Sequence, residues 1–213
     1  MHQTCKPAIL YFGTPVVLIT SFNEDSSINI APMSSVFWLG WRCIIGMSKL
    51  SKTVENLIRE KECVLNLPSV NEVNAVDRLA LTTGTKNVPL GKLEKGYTYV
   101  PNKFEIAGLT PMDSEVVSTP GILECPVSLE AIVKEIHPIG EDNEKMRGRI
   151  VTIELEIVNV RVHSEILKEG QSNQIDPNKW RPLIMSFQQF YGLTDQVHPS
   201  RLAEIPEKLY RMN

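Results

Sequence analysis

Apolar residues along the chain fall into two spacings, one suited to strands and one to helices. Val16-Val17-Leu18-Ile19-Thr20-Ser21 is a β-branched run between Pro15 and the polar stretch Asn23-Glu24-Asp25-Ser26-Ser27, which predicts a strand entering a turn. Asn29-Ile30-Ala31-Pro32 is the expected return strand. Ser34-Ser35-Val36-Phe37-Trp38-Leu39 and Arg42-Cys43-Ile44-Ile45-Gly46-Met47-Ser48 read as two further strands separated by Gly40-Trp41, so residues 16–48 predict an antiparallel β core. The spacing then changes, because Val54, Leu57 and Ile58 fall at i, i+3 and i+4 behind Ser51 and Thr53, either of which can cap the first turn; a helix is expected over 52–61. Cys63-Val64-Leu65-Asn66-Leu67 predicts another strand, ended by Pro68-Ser69, before a second helix with Val73, Val76, Leu79 and Ala80 on one face.

Residues 82–121, rich in Thr, Gly, Lys, Asn and Pro, read mostly as loop; so long a loop in a compact domain is either functional or conceals short elements. Strict alternation returns at Val127, Leu129, Ala131 and Val133 and again at Val151, Ile153, Leu155 and Ile157, predicting two long half-buried strands joined through Gly140-Glu141-Asp142-Asn143-Glu144-Lys145. Beyond Val162, Pro177, Pro182, Pro199 and Pro206 prevent long elements, and this stretch is expected to lie as a tail over the β core or a partner subunit.

The 213 residues are 42% hydrophobic and 22% charged, the proportions of an ordinary soluble globular chain. One domain over residues 1–165 and a C-terminal extension over 166–213 are the expected division. A formal net charge of −3 provides no basic footprint, which argues against nucleic-acid binding and adsorption to anionic membranes and leaves small molecules or proteins as partners. No apolar run approaches the roughly 20 residues of a membrane span, and Lys6, Pro7, Gly13 and Pro15 interrupt the N-terminus where a signal peptide would be apolar; a cytoplasmic protein is expected. Cys5, Cys43, Cys63 and Cys125 form no CxxC or Cys/His cluster and read as reduced, mostly buried thiols, with no metal site expected.

Candidate chemistry is sparse. Gly84-Thr85-Lys86 lacks the rest of a GxxxxGK[ST] loop, GxGxxG and GxSxG are absent, and His2, His137, His163 and His198 show no paired ligand spacing. Glu154 and Glu156 share one strand face but belong to a run of alternating polar positions, as expected of a solvated face. The junction Ser48-Lys49-Leu50-Ser51-Lys52-Thr53 remains. It offers hydroxyls, ammonium groups and free backbone N–H donors at a positive helix end, which is the chemistry a phosphate needs, although a plain helix cap with solvated lysines has the same composition.

Val16-Val17-Leu18-Ile19-Thr20, Asn29-Ile30-Ala31-Pro32-Met33-Ser34-Ser35, Ser51-Lys52-Thr53-Val54-Glu55-Asn56 and Val64-Leu65-Asn66-Leu67, in this order and spacing, resemble the successive signatures of the flavin reductase-like, FMN-binding split-barrel family, which includes the flavoredoxins. Phe104-Glu105-Ile106-Ala107-Gly108-Leu109-Thr110, Ser114-Glu115 and Glu124-Cys125-Pro126-Val127-Ser128-Leu129-Glu130 resemble the family's middle region. The chain departs from the family's pattern at the turn Leu39-Gly40-Trp41-Arg42 and at Arg147-Gly148-Arg149-Ile150-Val151.

The resemblance implies a mainly β fold, a six-stranded antiparallel split β-barrel with small flanking helices and an irregular C-terminal tail, assembled as a homodimer with FMN in a groove near the subunit interface. The cofactor-binding residues it implies are Asn29, then Ala31, Pro32, Met33, Ser34 and Ser35 along the isoalloxazine ring, and Ser48, Ser51, Lys52 and Thr53 around the phosphate. No catalytic side chain is expected, because the flavin carries the hydride chemistry. The implied activity is an NAD(P)H-dependent flavin reductase, with NADH or NADPH as donor and free flavin or an acceptor protein receiving electrons. Two alternatives stand beside it: a flavoredoxin-like electron carrier without its own nicotinamide site, and a non-redox split barrel that binds another phosphorylated ligand or a partner protein.

Overall fold

The computed structural model describes residues 1–210. Seven segments form its main sheet: β1 (Val17–Phe22), β2 (Ile28–Met33), β3 (Val36–Leu39), β4 (Arg42–Ser48), β5 (Glu62–Leu67), β6 (Val127–Ile139) and β7 (Ile150–Val162). The helices α1 (Lys52–Glu60) and α2 (Val73–Ala80) flank it. The order is β2-β1-β5-β6-β7-β4-β3, antiparallel throughout.

Each main-sheet strand expected from the sequence is present, and together they make seven strands where the family resemblance implied six. The shortest is β3, four residues long and paired only with β4. The sheet is also open rather than closed into a barrel. Its two edges, β2 and β3, are consecutive in the chain, so the two-residue link Ser34-Ser35 joins them without a ladder between them. Pro32 suits such an edge, since a strand residue without an N–H disrupts no pairing there. On the far side of the link, Gly46 N–H donates to Ser35 O at 2.8 Å.

Two apolar cores sit on opposite faces of this curled sheet. Inside lie Val17, Ile19, Ile45, Leu65, Leu129, Ile153 and Leu155, closed by Val54 and Leu57 of α1. Outside, Leu18 and Ile30 pack with Val76 and Leu79 of α2, Phe104, Ile122 and Leu183. β1 is therefore buried on both faces, which is why its sequence is a continuous apolar run rather than an alternation.

The long stretch over 82–121 is irregular for most of its length but contains a helix that periodicity did not reveal, Lys103–Ala107. Asn102 caps it, accepting from Glu105 N–H, and Gly108 ends it in the left-handed region at φ +64°. Further along, the 115–119 loop is strapped to the sheet by two carboxylates. Glu130 accepts from the N–H groups of Glu115, Val116 and Val117, and Glu62 from those of Ser118 and Thr119. Burial pushes the Glu130 carboxyl up, but these N–H donors outweigh it and hold the group below the usual carboxylate range.

In the C-terminal stretch, Leu183 enters the outer core, and Ile184–Ser186 pairs with both Phe12–Pro15 and Gln189–Tyr191. The latter hairpin turns through Phe187 and Gln188, both with positive φ (45° and 65°). Among the described residues no helix is long and apolar enough to cross a membrane.

Candidate functional site

The residues singled out in the sequence meet where β2 passes the N-terminus of α1. Helix α1 is fixed there by Asn56, whose Nδ2 donates to Ser21 Oγ at 3.0 Å and to Asn23 Oδ1 at 2.9 Å, and by Arg59, which donates to Phe22 O. Ser51 is the N-cap, accepting from Val54 N–H at 3.2 Å, while its own N–H donates to Ser48 O. The first N–H groups of the helix, those of Lys52 and Thr53, have no partner within it and make this end a donor cluster.

Across the junction, Asn29 Nδ2 donates to Thr53 Oγ1 at 3.0 Å. Asn29 is 2% exposed, and its Oδ1 is buried without a hydrogen-bond partner. An orphaned buried acceptor is costly unless something donates to it. The Lys52 ammonium turns away to two carboxylates, donating to Glu55 at 2.8 Å and Glu24 at 3.3 Å. Partial burial pulls Lys52 down, but its bonds to Glu55 and Glu24 outweigh that and hold it above the usual lysine value.

Ala31, Pro32, Met33, Ser34 and Ser35 are all half-buried and follow the open edge toward the link, with Met33 packed on the inner core. Ser48 lies at the exposed end of β4, paired with Ile150. Thus Asn29, Lys52 and Thr53 share one place, Ser48 and Ser51 form the turn leading into it, and residues 31–35 extend from it along the edge.

Four residues that the sequence did not assign to a site, Thr83, Gly84, Lys92 and Lys103, complete this corner. A Cβ on Gly84 would stand 2.7 Å from Asn29 Oδ1 and 3.2 Å from Lys52 Cγ, so the Thr83–Thr85 segment is seated on both. Thr83 Oγ1 accepts from Thr85 N–H at 3.3 Å and from Lys92 Nζ at 3.4 Å. Lys103, 3% exposed, donates from Nζ to Ile30 O at 2.7 Å, and burial pulls it down to about 7. In the sequence Gly84-Thr85-Lys86 is only a fragment of a phosphate-loop motif, and a lone lysine carries no signal that it will be buried.

The flavin reductase like domain is a family model that matches residues 9–194. The chain belongs to this family. As a flavin reductase-like protein it is 38% identical over 192 residues to the protein YdfE of Bacillus subtilis (strain 168), a match covering 90% of this chain and 89% of YdfE. The flavoredoxin of Desulfovibrio vulgaris (Miyazaki F) superposes with a TM-score of 0.75 at 20% identity, covering 96% of this chain and 100% of that one. The NADH:FAD oxidoreductase SgcE6 of Streptomyces globisporus C-1027 superposes with a TM-score of 0.60 at 12% identity, covering 86% and 88%. These structural likenesses establish a flavin reductase-like fold. With the family, they mark the chain as a flavin-related oxidoreductase.

Proposed function

We propose that this protein binds FMN in the corner formed by Asn29, Thr53 and the Thr83–Thr85 segment and along residues 31–35, and that it works as an NAD(P)H-dependent flavin reductase. The observation that carries the reading is the buried, partnerless Asn29 Oδ1 at the junction of an open sheet edge with a helix N-terminus. A ribityl hydroxyl is the kind of donor that oxygen lacks. The α1 N–H donors and the hydroxyls of Ser51 and Thr53 suit the phosphate. Backbone groups of Ala31–Ser35, on an edge without a neighbouring strand, suit the polar rim of the isoalloxazine, with Ser34 and Ser35 at the link.

When bound, the flavin supplies hydride and electron transfer; the side chains described here bind it, orient it and cover its phosphate end. The same reading has the chain act as a homodimer, supported by exposed Phe37, Leu39 and Trp41 on the β3–β4 hairpin. Superposition on flavoredoxin over its full length favours a second reading, an electron carrier that holds FMN without a nicotinamide site of its own.

A visible spectrum of the purified protein, supplemented with FMN and desalted, separates these possibilities. Retained flavin absorbance that bleaches anaerobically on adding NADH or NADPH is the expected result. Retained flavin that neither nucleotide bleaches selects the carrier. A colourless protein with no FMN affinity overturns both and leaves a non-redox split barrel.

A further inference from the structure

The chain exposes more surface than a solitary globule of its size. A compact monomer of 24.0 kDa presents about 9,900 Å² to solvent, whereas this one presents 13553 Å². The excess is several times the roughly 800 Å² that each partner buries in a standard protein interface. Part of it is the C-terminal arm, where every residue over 191–210 is exposed. Val197 is 93% exposed and Leu209 69%, and Leu202, Ile205 and Tyr210 are bare as well. Arg181 holds the root of the arm, donating to Thr194 O at 3.3 Å and standing 3.6 Å from an Asp195 carboxylate oxygen. Beyond that root the arm forms two short 3-10 turns, Arg201–Glu204 and Glu207–Leu209, neither of which buries a residue. Ordering such a segment costs backbone entropy that burial within the chain does not offset.

The arm borders a cleft of about 800 Å³ whose walls include Trp41, Val160, Val162, Leu167, Ile175 and, from the arm, Tyr210. The β3–β4 hairpin forms one side of it. Val36 and Trp38 pack on the inner core, which turns Phe37 and Leu39 outward beside Trp41, and these three are exposed. β3 is also a sheet edge, with backbone groups unpaired along one side. An apolar edge left bare is an aggregation site, and native sheets keep such an edge covered.

A small molecule would fill the cleft yet leave the hairpin and the arm exposed, whereas a protein surface covers all three. The hairpin is an apolar knob and the cleft beside it an apolar socket, so this one patch is complementary to its own copy across a two-fold axis. We propose that the occupant is a second copy of this chain: the partner's β3–β4 hairpin enters the cleft between the arm and β7, and the arm clasps it from outside, reciprocally in the two copies. The assignment rests on the homodimer reading above and adds the arm as the element that holds the dimer. Arg42 and Ser48 are the two ends of β4, roughly 20 Å apart at about 3.3 Å per residue, so the clasp lies away from the Asn29 corner and forms without flavin.

Sedimentation equilibrium of the full-length protein at micromolar concentration, without added flavin, tests the clasp beside a Trp41→Asp variant and a Leu202→Asp/Leu209→Asp double variant. All three side chains are exposed, so the fold survives these changes and circular dichroism is expected to be unaltered. The wild type is expected at twice the 24.0 kDa of one chain, with association weakened about 100-fold or more in each variant. A benzophenone amino acid in place of Leu202 is expected, on irradiation, to give a covalent dimer whose cross-link maps to residues 36–42 of the other copy. A dimer that either variant leaves unweakened, or a cross-link found only within one chain, overturns the clasp while the homodimer reading stands. A wild type that sediments as a monomer removes both.

Discussion

Lys103 shows how position rewrites a side chain's chemistry. On the surface its ammonium would titrate near 10.5, but in the folded chain burial holds it at about 7. Below pH 7 the group is protonated in both folded and unfolded states, and the cost of its burial is fully expressed. As the pH rises from 7 toward 10.5, the folded protein releases the proton while the unfolded chain keeps it, so stability increases across that window. Wild type minus Lys103→Met, measured by urea denaturation, should show stability rising by about 2 kcal/mol between pH 7 and pH 9, with no such slope assignable to the variant. A flat difference would place the ammonium in solvent. Thr53 is singled out in the sequence because the resemblance and the helix-start pattern converge on it, and Asn29 by the resemblance alone. Lys103 is not, because its burial arises from tertiary packing of a five-residue helix against β2.

Among the elements, legibility followed the length of the pattern. Alternation predicts β6 and β7 over 127–134 and 151–158, but they run to Ile139 and from Ile150 to Val162, since strand pairing continues past the core where exposed residues no longer alternate. The Lys103–Ala107 helix offered too few residues for a period, and only its flanking Asn102 and Gly108 hinted at it. The C-terminal hairpin tells a different story. Its two-residue turn has both central residues at positive φ, a geometry that favours Asn-Gly, yet Phe187 and Gln188 occupy it, with the Phe187 ring set edge-on against Phe12 at 4.8 Å. Left-handed backbone costs an ordinary L-residue roughly 1–2 kcal/mol. Gln188→Gly is therefore expected to stabilise the protein by about 1 kcal/mol, a rise of about 2–4 °C in Tm by calorimetry. A lower Tm would mean that the Gln188 side chain contributes more than its backbone strain costs.

At the scale of the whole molecule, local patterns identified all seven strands, but the order in which they associate was not readable from any of them. β1 pairs with β5 across three intervening strands and α1, and β6 with β5 across α2 and the long irregular segment, contacts fixed by packing on two faces rather than by neighbouring residues. The same topology leaves β2 and β3 as edges side by side in the chain yet unbridged by a ladder. That seam should be conspicuous in its exchange of backbone protons with solvent. Without a ladder between β2 and β3, amides at residues 31–36 other than Pro32 should take up deuterium sooner than those of β5 and β6, which have strands on both sides. A flavin lying along residues 31–35 would slow uptake there and at Thr83–Thr85 and leave β6 unchanged, so mass-resolved exchange with and without FMN would trace the ligand's footprint directly; protection confined to other segments would place the ring elsewhere.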